Sequence, residues 1–150
     1  MTKERFKITP ASYLILTKDN QILMLRRYNT GYEDGNYSLI AGHLDGQETF
    51  KQAIIREARE EADVILNPND LKIVHAMHRF VPSNEEIIRE RIDVFVATDK
   101  WEGEPQNMEP HKCDDLNWFS IDNLPGNTIP YIKQAINSIK NNIFYSEFGF

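Results

Sequence analysis

Glu57, Glu60 and Glu61 stand three and four residues apart, in the run Arg56-Glu57-Ala58-Arg59-Glu60-Glu61. On an α-helix those spacings bring Glu57 onto the same face as each of the other two. Like charges held together repel unless something positive sits among them. A hard divalent cation such as Mg²⁺ takes oxygen ligands, typically one or two carboxylates, with waters and substrate phosphate completing the shell. The cluster therefore reads first as a metal site for phosphate chemistry. Just ahead of it lies a glycine-containing turn, Gly42-His43-Leu44-Asp45-Gly46-Gln47-Glu48. A bare acidic run on a helix is more often a solvated face, so its neighbours matter.

The elements that must position these residues can be read from pattern. Residues 10–17 and 21–27 are two apolar strands around Lys18-Asp19-Asn20, a hairpin signal. A loop rich in turn formers follows from Asn29 to Asn36. Residues 37–41 read as one short strand leading into the glycine turn. Residues 49–62 read as the helix, with Thr49 and Gln52 spaced as a capping box. Phe50, Ala53, Ile54 and Ala58 give it an apolar face, which leaves the glutamates to face outward. Asn67-Pro68-Asn69-Asp70 is a loop, and residues 71–81 and 87–98 are two more strands joined by Ser83-Asn84-Glu85-Glu86. In the second of these, Ile92, Val94 and Val96 alternate with Asp93, Phe95 and Ala97. Residues 116–120 form a short strand, and residues 130–141 an amphipathic helix on Ile132, Ile136 and Ile139. Strands and helices mixed in this way suggest a mixed sheet packed between helices.

The segment from Gly42 to Val64 resembles the signature of the Nudix hydrolases, G-x5-E-x7-R-E-U-x-E-E-x-G-U, with U a bulky aliphatic or similar residue. Gly42, Glu48, Arg56, Glu57, Ala58, Glu60, Glu61 and Val64 fall at its positions over 23 residues. With Gly42, Glu48 and Arg56 in register, the metal-site reading displaces the solvated face. The late glycine departs: Asp63 stands there. Asp tolerates a left-handed conformation better than most residues, so the helix end should adjust and the site stay intact. Ile40 stands where many members have proline and removes no ligand. The resemblance implies one Nudix domain over residues 1–150, an α/β fold built as an α/β/α sandwich with a mixed β-sheet between helices.

It also implies roles. Glu60 and Glu61 match the positions that most often bind metal, and the backbone carbonyl of Ala41 often joins them. Glu57 is open between metal ligand and the base that activates water. Arg56 and Glu48 belong to the catalytic set as supports, a pair that holds the loop against the helix. The stretch from Trp101 to Glu109 looks like the part of MutT-type nucleoside triphosphate pyrophosphohydrolases that carries a further glutamate, here Glu109, with Glu104 as the neighbouring alternative. Asn107-Met108-Glu109-Pro110-His111-Lys112-Cys113 with Trp118 is similar to a region of members acting on purine nucleoside triphosphates. Arg27 matches an arginine that reaches substrate, and Lys112 is a weaker phosphate contact. A guanidinium suits bidentate phosphate contacts, and strand alternation lets only one of Arg26 and Arg27 face the site. Tyr28, Tyr32, Tyr37, Phe80 and Trp118 are candidates for stacking on a base, although most aromatics are core. None of His43, His75, His78 and His111 shows zinc spacing with a cysteine or another histidine.

The implied activity is Mg²⁺-dependent hydrolysis (Mn²⁺ as the alternative metal) of a phosphoanhydride bond in a nucleotide. Nucleoside triphosphates, canonical or oxidised, come first, giving monophosphate and pyrophosphate. ADP-ribose, nucleotide sugars and dinucleoside polyphosphates are the alternatives; Pro82 does not sit clearly at the offset of the proline in some ADP-ribose hydrolases. A nucleotide-sensing module without turnover is a further alternative, disfavoured by the retained glutamates. A Nudix-fold isomerase of small diphosphates is more distant. Composition narrows the partners. A net charge of −6 argues against a general nucleic-acid or membrane binder, but not against an anionic substrate, since a bound metal inverts the local sign. Cys113 is alone, which points to a reducing, cytoplasmic compartment. The start lacks an apolar signal core, and no segment approaches a membrane span. A homodimer is expected by family analogy alone.

Overall fold

The computed structural model describes residues 2–81 and 90–150. Strands β1 (Thr9–Lys18) and β2 (Gln21–Arg27) form the expected hairpin. Asp19 and Asn20 at its tip both take positive φ, 50° and 62°, the conformation that a two-residue hairpin turn demands and that Asn and Asp tolerate. Then follow β3 (Tyr37–Ser38), β4 (Ala41–His43), helix α1 (Phe50–Ala62), a short 3-10 turn (Pro68–Asp70), β5 (Lys72–Phe80), β6 (Glu90–Thr98), β7 (Cys113–Ser120), helix α2 (Pro130–Lys140) and β8 (Tyr145–Phe148).

The sheet runs β3-β2-β1-β6-β5-β8, with β4 on β1 and β7 on β2. It is mixed: β1 lies parallel to β6 and β5 parallel to β8, while the other pairs are antiparallel. Helices cover both faces. One cluster gathers Ile54, Ala58 and Ala62 of α1 on Leu14, Leu16, Leu23 and Val96. The other gathers Ile132, Ala135 and Ile136 of α2 on Tyr13, Ile15, Met24 and Phe95. Successive residues of β1 and β2 thus serve opposite cores, as the strand period of two requires. The alternation read in β6 therefore buries both of its faces. The fold is the expected α/β/α sandwich.

One edge of β1 is shared. Its first half pairs with β4 (Ala11 with His43, Tyr13 with Ala41), and only its last two residues pair with β2. Beyond the hairpin, β2 leaves β1 and continues with β3 and β7. A gap opens in the sheet between β2 and β4, and the candidate site lies there. The fork also explains why residues 37–41 are not one strand. Tyr37 and Ser38 pair with β2, Ala41 pairs with β1, and the chain crosses between them at Leu39 and Ile40, both buried. Two further differences concern strand ends: β7 starts at Cys113 rather than 116, and β8 was not anticipated. The expected connection Ser83–Glu86, Pro82 and the first residues of the strand read from 87 lie outside the described residues.

Candidate active site

Helix α1 starts as its sequence dictates. The Thr49 hydroxyl accepts from the Gln52 N–H at 3.0 Å, and the Gln52 side chain accepts from the Thr49 N–H at 2.8 Å. Its other end closes on Asp63, left-handed at φ 55° and ψ 34°. The carbonyls that a helix end leaves open are taken by the connection between β6 and β7. The Met108 N–H donates to Glu61 O at 3.1 Å, and the Gln106 N–H to Ala62 O at 3.0 Å. The docked loop brings Glu109 back to the helix, where Asn107 braces it by accepting from the Glu109 N–H and donating to Cys113 O.

Glu57, Glu60, Glu61 and Glu109 line one cleft of about 700 Å³, with Ala41, Arg27 and Lys112. Glu104 is exposed and does not line it. Arg27 reaches the cleft because it shares the strand face of Leu25, which also lines it. Arg26 turns away to Asp114 at 2.7 Å. Asn29, Thr30 and His111 also line the cleft; the sequence offered no signal for the first two, which arrive on the loop after β2. His75 is buried and bonded to Ile143 O and Ser146 Oγ, pinning β8, while His78 bonds Glu90. Of the aromatic candidates, Tyr37 is core, and Trp118 packs on Trp101.

Arg56 ties the glycine turn to the helix. Its Nη2 donates to Glu48 Oε1 at 2.8 Å and to His43 O at 3.3 Å, and its Nη1 to Glu57 Oε1 at 2.7 Å. Glu48 Oε1 also accepts from the Asp45 N–H at 2.8 Å, and these bonds hold its carboxyl below the usual range, the Arg56 bond most strongly. Gly42 has a steric reason to be glycine. A Cβ there would collide with the Glu57 carboxyl, which lies against the bare backbone.

The electrostatics are those of a site short of positive charge. Desolvation in the cleft pushes the Glu61 carboxyl well above the ordinary range, with repulsion from Glu57 adding. Burial also raises Glu57 against the pull of Arg56. Four carboxylates, all hard oxygen donors, suit a divalent cation of the Mg²⁺ class. Among the described residues, no three carboxylate, imidazole or thiol groups stand close enough to hold an ion as they are. Arg56 takes Glu57 Oε1, and the Ala41 N–H donates to Glu61 Oε2 at 3.1 Å. The fit is thus one of donor chemistry, completed by turning of the Glu57 and Glu60 side chains.

Comparison with known proteins agrees with this geometry. The NUDIX domain family matches residues 7–139. A MutT NUDIX hydrolase from Burkholderia pseudomallei superposes with a TM-score of 0.78 at 23% identity, over 88% of this chain and 98% of that one. A NUDIX hydrolase from Nitrosomonas europaea gives 0.76 at 20% identity, over 93% of each chain. At such identities these show the fold. Proteins named NAD-capped RNA hydrolase NudC are similar in sequence. That of Stutzerimonas stutzeri is 26% identical over 121 residues, 79% of this chain and 39% of its own. That of Vibrio cholerae is 28% identical over 120 residues, 79% of this chain and 40% of its own. The chain spans about two fifths of the length of these curated relatives. No helix among the described residues is long and apolar enough to cross a membrane. With the family matched over most of the chain and the glutamates gathered in a cleft on the shared fold, this chain belongs to the Nudix family of hydrolases.

Proposed function

We propose that the chain hydrolyses a phosphoanhydride bond in a small nucleotide with the help of Mg²⁺, Mn²⁺ being the alternative. The observation that carries this is the convergence of Glu57, Glu60, Glu61 and Glu109 on one cleft that Arg27 and Lys112 also line. Glu60, Glu61 and the Ala41 carbonyl would hold the metal, with Glu109 and Glu57 beside them. When bound, the cation supplies positive charge to the phosphoryl oxygens and makes water more acidic. Arg27 and Lys112 bind the substrate phosphate in the same cleft. Glu57 either joins the metal shell or accepts the proton of the attacking water; Arg56, bonded to its Oε1, orients it in both cases. Arg56 and Glu48 keep the glycine turn in place.

Nucleoside triphosphates, cut to monophosphate and pyrophosphate, are the first substrate class. A dinucleotide pyrophosphate is the second reading, in line with the name of the NudC relatives. A hydrolysis panel with Mg²⁺ separates them, with products read by chromatography. Glu60→Gln and Glu61→Gln should each lower turnover of the best substrate about a hundredfold or more. Unchanged hydrolysis in both would sink the assignment. Saturable nucleotide binding with no turnover in Mg²⁺ would instead favour a sensing module.

A further inference from the structure

The gap in the sheet opens on the α2 side into a second compartment of about 360 Å³. It shares Arg27 and Ala41 with the carboxylate cleft, but its charge is opposite. Arg27, Arg79 and Arg91 line it with Tyr13 and Tyr131, and no carboxylate among the described residues does. Arg79 is built in. Its side chain is 4% exposed, its Nε donates to Asp93 Oδ2 at 2.6 Å, and its guanidinium lies 3.7 Å from the Tyr131 ring centroid. Asp93 therefore offsets one of the three charges, that of Arg79. Arg91 makes no ion pair with a carboxylate among the described residues. Its Nη1 lies 2.9 Å from His43 Nε2, and its buried Nε has no hydrogen-bond partner among the described residues. A guanidinium only donates, so His43 Nε2 accepts and the imidazole is neutral. His43 thus orients Arg91 without cancelling its charge. Arg27 likewise spends its donors on neutral oxygens, Tyr32 O and Thr30 Oγ1. A buried donor without a partner and an uncancelled guanidinium charge are costly, and both are what an oxyanion would satisfy.

We propose that this compartment is a second anion site, in which Arg91 and Arg27, backed by Arg79, receive a phosphate that the substrate carries beyond the anhydride being cut. The substrate class is then a nucleotide with negative charge on both sides of Ala41, one end on the carboxylate side and a further phosphate on the arginine side. This rests on the reading of the carboxylate cleft as the hydrolytic site. An uncharged nucleoside could stack on the tyrosines and accept hydrogen bonds, but it would leave the Arg91 charge uncompensated.

The test uses inorganic phosphate with the full chain in excess chelator, followed by the arginine Nε–H resonances in nitrogen-15 spectra. Without a divalent cation the glutamates repel phosphate, so binding reports the arginine compartment alone. The expected result is saturable displacement of the Arg91 Nε–H signal, no displacement by guanosine, and about tenfold or greater weakening in Arg91→Gln. Arg91→Lys keeps the charge and should retain part of the affinity. Matching thermal melts exclude misfolding as the cause of any loss. Glu60→Gln should keep phosphate binding while losing hydrolysis, which separates this inference from the assignment of the reaction. It is overturned if phosphate leaves Arg91 unmoved, if guanosine alone moves it, or if Arg91→Gln binds phosphate like the parent.

Discussion

Gly42 and Glu57 show how a single contact couples the glycine turn to the chemistry. The glycine has no unusual backbone angle to explain it; it is needed because the Glu57 carboxyl occupies the space a side chain would fill. That carboxyl is the flexible end of its residue, so Gly42→Ala should displace it rather than unfold the protein. We expect turnover to fall on the order of tenfold or more, as for a catalytic group moved by about an ångström, with little change in Tm. An active Gly42→Ala protein would mean that Glu57 needs no fixed position. The pattern of Gly42, Glu48, Arg56 and the three glutamates was legible because it is local: turn and helix deliver it at fixed spacing. The sequence did not show that Arg79 and Arg91 would meet Arg27. They lie on three strands, and only the pairing of β5 with β6 and of β6 with β1 brings them to one pocket.

Helix α1 carries both of its termini in its own sequence. Thr49 with Gln52 forms the capping box, and Asp63 takes the left-handed position that the family pattern gives to glycine. Thr49→Ala should cost about 1 kcal/mol in urea unfolding. Asp63→Gly should be neutral or stabilise by up to about 1 kcal/mol, because only glycine enters that region without a Cβ penalty. A loss of stability in Asp63→Gly would show that the Asp63 side chain does something beyond tolerating its angle. The strands were less legible at their edges. β8 is four residues long and pairs with β5 near the middle of the chain, so nothing near Tyr145 in sequence announces it. The split between β3 and β4 has the same origin, since each half answers to a different partner strand.

For the molecule as a whole, the carboxylate cleft links stability to pH and metal. In the metal-free protein, Glu61 is held well above the ordinary carboxylate range by burial first and Glu57 second, and burial raises Glu57 as well. A folded pKa above the unfolded one means the folded state holds the proton more tightly. The stability from these groups is complete below the ordinary range and is lost as pH rises through their raised folded values. A cation needs the ionised carboxylates and so acts in the opposite sense. Mg²⁺ should therefore raise Tm more at about pH 8 than at about pH 5, as scanning calorimetry would read. Equal shifts at both would remove Glu61 and Glu57 from the metal shell. The sequence by itself determined the class of fold, the helix with its caps, and the acidic residues spaced along one face of it, because periodicity and motif spacing act within a few turns of chain. Tertiary structure alone decided that β1 would share its edge between β2 and β4. That fork opens the gap in the sheet, turns Arg27 toward the glutamates, and sets a basic compartment behind an acidic one. Its physical reason is that backbone hydrogen bonds and side-chain burial are satisfied between segments far apart in sequence, which no local pattern encodes.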